Sequence, residues 1–145
     1  MADDKKDFES VCIVPMLYLK DLSAAIEFYT KAFGASVRWK ITNPDETVHV
    51  AELTIPPTIF QLHEEVSGNH HLSPLTLQGT PVVVGLLVED PDQVAKQAVI
   101  AGATEVSPVK DYEYGYRQGS IVDPFGHHWC LEKIDSLKKV PAMGT

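Results

Sequence analysis

The sequence predicts an α+β domain in which one strand–helix–strand–strand–strand unit is used twice. Three observations lead there. Two stretches with helical apolar spacing each follow a short apolar run and an aspartate suited to capping, and each closes on a glycine. The segments LYLKDLSAAIEFYTKAFGA and LLVEDPDQVAKQAVIAGA superpose with a single gap, which brings Asp21 onto Asp90 and Gly34-Ala35 onto Gly102-Ala103. After each glycine come three strand-like runs.

The first unit opens with VCIVPMLYL, Val11 to Leu19, a short apolar run bounded by charge and therefore a strand. Asp21 caps the helix that follows, where Leu22, Ala25, Ile26, Tyr29 and Phe33 recur on one face and Gly34 supplies the left-handed stop. SVRWKI and TVHVAELTI are separated by the turn-forming NPDE, and IPPTIFQLH follows with two prolines at the bend. In the second unit PVVVGLLV is the strand. Asp90 is the cap, Pro91 takes the first helical position and Gly102 the end. TEVSPV, YRQGSIV and HHWCLEKI complete it, the last two joined by the turn DPFG, with Pro presetting φ at its second place and Gly at its fourth.

Between the units, EEVSGNHHLSPLTLQGT is rich in Gly, Pro and Ser and reads as a linker without an element of its own, its His70 and His71 a solvated pair. The expected organisation is a disordered N-terminal tail over 1–10, one domain over 11–134, and a C-terminal tail over 135–145 that is a frayed end or an arm across a partner. Within the domain, module one covers 11–66, the linker 67–80 and module two 81–134.

Composition narrows the function. The 145 residues make one ordinary domain, 44% hydrophobic and 22% charged, as in soluble globular proteins. Twelve basic against twenty acidic residues leave a formal charge of −8, which argues against nucleic acid and membrane as partners. An acidic surface favours cationic or neutral ligands, although solubility alone explains it and is the stronger reading. MADDKKDFES has no apolar run of the kind found in signal peptides, and no stretch approaches a membrane span, so the cytoplasm is the expected compartment. Cys12 and Cys130 sit in apolar strand-like runs and read as buried structural thiols.

Several of these stretches resemble the vicinal-oxygen-chelate superfamily of glyoxalases, extradiol dioxygenases and bleomycin-resistance proteins. VPMLYLKDLSAAIEFYTKAFGA is similar to that family's opening strand and helix, VAEL to its third strand, and DPFGHHW to the closing hairpin of its PhnB-like, glyoxalase-related subgroup. The resemblance runs from Val11 to Ile134. It implies two tandem βαβββ modules forming a curved mixed sheet with a concave pocket and helices on the outer face, and it implies a homodimer. Metal-using members carry a ligand on the first and fourth strand of each module. The corresponding positions here hold Val14, Gln61, Val83 and Cys130. Catalytic zinc needs three His, carboxylate or thiolate ligands, and non-haem iron two His and a carboxylate. Two valines have no lone pairs to offer, so no cofactor is expected. A divalent metal displaced onto His63, His128 and Glu132 is the alternative.

Strand alternation then assigns side chains to faces. His127, Trp129 and Leu131 share one face of the last strand; His128, Cys130 and Glu132 share the other, which the resemblance makes the cavity side. By the same reasoning Cys12, Val14, Met16 and Tyr18, then Glu52 with Val50, then Ile59, Gln61 and His63, then Val83, Gly85 and Leu87 line the cavity. Trp39 is pocket wall or core. Arg117, preceded by Tyr112, Tyr114 and Tyr116, is a candidate lid that clamps an anionic group, or else an ordinary surface loop. The expectation is an apolar cup with sparse polar groups that binds a small, mostly apolar or cationic molecule without metal. The alternatives are a glyoxalase-like lyase, isomerase or dioxygenase using a displaced metal or His128 and Glu132 as acid and base, and a non-catalytic partner subunit.

Overall fold

The computed structural model describes residues 10–134; the expected tails lie outside the described residues, Ser10 excepted. The chain runs β1 (Met16–Leu19), α1 (Leu22–Phe33), β2 (Ser36–Thr42), β3 (Val48–Ile55), β4 (Thr58–Glu64), α2 (Pro74–Leu77), β5 (Val83–Leu87), α3 (Pro91–Ala101), β6 (Thr104–Asp111), β7 (Tyr116–Val122) and β8 (His128–Ile134). This is the α+β class with its unit used twice. Both helix caps form as the sequence requires. Asp21 accepts from the backbone N–H of Ala24 and Asp90 from that of Gln93, each at 3.1 Å, and Gly34 ends α1 at φ 69°.

Each module gives a four-stranded mixed sheet, ordered β1-β4-β3-β2 and β5-β8-β7-β6. β1 pairs with β4 and β5 with β8 in parallel; the remaining pairs are antiparallel. α1 lies on the first sheet, α3 on the second, and the helices pack against each other. The helix-covered faces therefore meet in one core. Phe60 and Leu62 of β4 and Trp129 and Leu131 of β8 all belong to it, and the rings of Phe60 and Trp129 lie 5.8 Å apart. Tyr29 of α1 touches both, at 5.3 Å and 5.6 Å. Where the helix-covered faces converge, the opposite, bare faces point away from each other.

A buried carboxylate fastens the modules. Asp123, 3% exposed in the DPFG turn, accepts from the Tyr29 hydroxyl at 2.5 Å and from Trp129 Nε1 at 2.9 Å through one oxygen. Its other oxygen accepts from the backbone N–H groups of Phe125 and His127. A carboxylate buried this deeply is tolerated because its acceptor sites are filled.

Three expectations change. The first strand starts at Met16 rather than Val11: Pro15 has no N–H to continue a ladder, and Val11 and Ile13 stand 100% and 87% exposed. Cys12 is accordingly exposed rather than buried. The linker holds a helical turn, α2, because Ser73 caps it through Thr76 N and Pro74 occupies its first position. Its overall polarity masked that local signature.

Candidate functional site

The residues singled out by alternation fall into two groups, one on each bare face. On the first sheet, cross-strand register sets Trp39 beside Glu52, Glu52 beside Gln61, Val50 beside His63, and Met16 beside Gln61. Glu52, 7% exposed, is the hub. A bulge in β2 between Val37 and Trp39 brings two consecutive side chains to it: Arg38 Nε donates at 3.1 Å and Trp39 Nε1 at 3.0 Å. Gln61 Nε2 donates to its second oxygen at 3.0 Å, and Gln61 Oε1 lies 2.8 Å from His63 Nε2. Burial, followed by the nearby His49 and His71, lowers the pKa of His63 from its usual 6.5 and favours neutral imidazole.

The linker also reaches this face. Tyr18 stacks on His63 at 5.1 Å between ring centroids and on His71 at 4.8 Å. His71 is exposed, as expected of a solvated residue, and has a ring partner in addition. Nothing in its local sequence marks this, since Tyr18 lies a whole module away in the chain.

On the second sheet His128, Cys130 and Glu132 share the bare face with Val83, Gly85 and Leu87. Gln118, directly across from Glu132, donates to it at 2.8 Å and lies 3.5 Å from Cys130 Sγ. Tyr114 donates to Gln118 in turn. Desolvation, then the charge of Glu132, pushes the Cys130 thiol up in pKa, so it is a poor thiolate source. Gly85 leaves room beside Glu132: a Cβ built there would sit 3.5 Å from its Oε1. Gln118 was missed in the sequence, and the cross-strand register of β7 on β8 is the signal that finds it; Tyr114 belongs to the aromatic run already noted before Arg117.

Arg117 does not join either group. One position along from Gln118, it points to the helix side, where it forks onto Asp92 of α3 at 2.8 Å twice and reaches Asp111 at 3.2 Å. Those partners hold it protonated. Its charge is already answered, which is the wrong state for an anion clamp.

Neither do the two groups meet within one chain. Gln61 and Cys130 lie on faces turned away from each other, and Val14 lies ahead of β1, half-buried. A concavity of about 210 Å³ at the free edge of β1 includes Met16 and Tyr18 together with Pro74, Val82 and His127, whose Nε2 lies 3.0 Å from the Tyr18 carbonyl. Another of about 450 Å³, between α3 and β6, contains none of the candidate residues. Met16, Val83 and Leu87 are 54%, 57% and 61% exposed, which leaves apolar surface open on both bare faces.

Val14 and Val83 have no lone pairs, both ends of the Gln61 amide are engaged, and Cys130 holds its proton. Among the described residues no three His, Cys, Asp or Glu side chains are grouped to hold an ion. The four positions do not fit a divalent cation.

Comparison with known proteins agrees with this architecture. The model of the glyoxalase/bleomycin resistance protein/dioxygenase superfamily matches residues 13–131. An uncharacterized protein of Mycobacterium bovis is 39% identical over 120 residues, covering 81% of this chain and 79% of its own. Among solved structures, a gene product of Arabidopsis thaliana is similar with a TM-score of 0.66 and 26% identity, over 84% of this chain and 98% of that one. TioX from a Micromonospora species is similar with a TM-score of 0.65 and 24% identity, over 85% and 95%. No helix among the described residues is long and apolar enough to cross a membrane.

Proposed function

The chain belongs to the glyoxalase/bleomycin resistance protein/dioxygenase superfamily, and from that premise we propose that it binds a small, mostly apolar molecule without a metal, in a pocket that a second copy of the chain completes. The observation that carries this reading is the pair of bare faces. Each has apolar floor and a short hydrogen-bonded polar group, Glu52–Gln61–His63 on one and Gln118–Cys130–Glu132 on the other. Sparse polar groups on apolar walls are the make-up of a small-molecule site, but one chain supplies only two diverging halves. A homodimer that sets the first bare face of one protomer against the second of its partner encloses both groups and covers Met16, Val83 and Leu87. The hairpin DPFGHHW supports placing the chain in the PhnB-like subgroup, and its composition favours the cytoplasm.

Light scattering on the eluting protein, with element analysis of the same fraction, tests the reading. A dimer without stoichiometric metal is expected, and titration with neutral aromatic compounds should change Trp39 fluorescence. A monomer, or a protein that holds one transition-metal or zinc ion per chain, refutes it and favours the glyoxalase-like lyase or dioxygenase alternative.

A further inference from the structure

The first bare face has a polarity that can be read from hydrogen-bond bookkeeping. Arg38 and Trp39 are donor-only groups, and both converge on Glu52, which therefore accepts. Gln61 must then turn its NH₂ end toward Glu52, as it does at 3.0 Å, and its carbonyl toward His63. A carbonyl only accepts. The His63 nitrogen 2.8 Å away, Nε2, must be the one carrying hydrogen. In neutral imidazole that leaves the other nitrogen, Nδ1, with a lone pair. His49 Nδ1 is the only buried side-chain nitrogen or oxygen without a hydrogen bond among the described residues, so His63 Nδ1, which makes no hydrogen bond to them either, is open to solvent.

We infer that the Glu52–Gln61–His63 chain locks His63 in its Nε2–H form, and that Nδ1 is the acceptor by which this face selects a neutral ligand bearing an O–H or N–H donor. Tyr18, stacked on the His63 ring, keeps the imidazole from rotating and leaves its edge free. The burial and the neighbouring histidines that keep His63 neutral keep the lone pair available near neutral pH. Cations gain little on this face, because the carboxylate they would seek is already met by Arg38. The ligand class rests on the small-molecule reading above; the tautomer rests on the fold alone.

Nitrogen-15 NMR of the histidine-labelled full chain separates the two. At pH 7.5 His63 should show one Nε2–H tautomer without averaging, and Gln61→Leu should restore exchange between tautomers. An averaged or Nδ1–H ring in the unmutated protein overturns the inference, whatever the variant does. Phenol and anisole, the same ring with and without a donor, then probe the ligand. Phenol should move the Nδ1 resonance and bind roughly fivefold more tightly, the factor one neutral hydrogen bond supplies. Equal affinity with no Nδ1 response overturns the donor preference and leaves the pocket standing. Silence at both Trp39 and His63 for either compound overturns the pocket itself and the ligand class with it.

Discussion

Replacing Tyr29 by Phe removes one hydroxyl from the place where the modules are joined. Tyr29 is fully buried, and its hydroxyl meets the Asp123 carboxylate at 2.5 Å. Burial and then the Asp123 charge raise its pKa well above the usual range, so it remains a donor at every working pH. A hydrogen bond to a charged acceptor contributes about 1.5–3 kcal/mol net. The carboxylate retains Trp129 Nε1 and two backbone N–H groups, so it is not orphaned, and the lower half of that range applies. The expected loss is about 2 kcal/mol, or roughly 6 °C in Tm for a domain of this size. Urea denaturation followed by circular dichroism, with calorimetry beside it, measures both. The m-value should stay unchanged, because the surface exposed on unfolding does not change. A cycle with Asp123→Asn isolates the pair and should return a coupling above about 1 kcal/mol. A loss below about 0.5 kcal/mol, or strict additivity in the cycle, would show that the contact does not fasten the modules.

Four further outcomes follow from positions described above. Ellman's reagent at pH 8 should label exposed Cys12 rapidly and Cys130 slowly, since burial and Glu132 keep the latter protonated; equal rates contradict this. The folded pKa of His63 lies below its usual 6.5, so the unfolded chain binds the proton more readily, and stability should fall as pH drops through about 6.5 toward the folded pKa. His63→Gln should flatten that part of the profile, and an unchanged slope would assign it to other groups. Gly119→Ala puts a Cβ 2.8 Å from the Val109 backbone nitrogen across the β6–β7 pair and should cost about 1–3 kcal/mol in urea denaturation. Arg117→Ala, at a half-exposed ion pair on the helix side, should cost less than about 1 kcal/mol and leave ligand binding unchanged; loss of binding would return it to the site.

Legibility of the chain followed the range of the forces involved. Asp21, Gly34, Asp90 and Gly102 act within a few residues of themselves, so both long helices could be placed from spacing alone. Alternation likewise grouped His128, Cys130 and Glu132, because a strand's two faces are set by its own backbone. What stayed hidden depends on partners far away in sequence. Tyr18 finding His71, and Gln118 finding Glu132, require a sheet to be assembled first. The side taken by Arg117 is decided by one residue of register, and Asp92 reveals it only once α3 lies over β7. Above all, no local pattern states whether two modules turn their helix-covered or their bare surfaces toward each other. That choice is made by the ring cluster of Tyr29, Phe60 and Trp129, and it decides whether one copy or two encloses the polar groups.

The aspartate at the DPFG turn has a consequence for how the molecule comes apart. Because Asp123 and the rings around it clasp the halves side by side, the peptide running through 67–80, although packed along β1, is not what keeps the halves together. A protease that severed it would leave a nicked but undivided particle. Heating would then dissolve both halves in one event, not in succession.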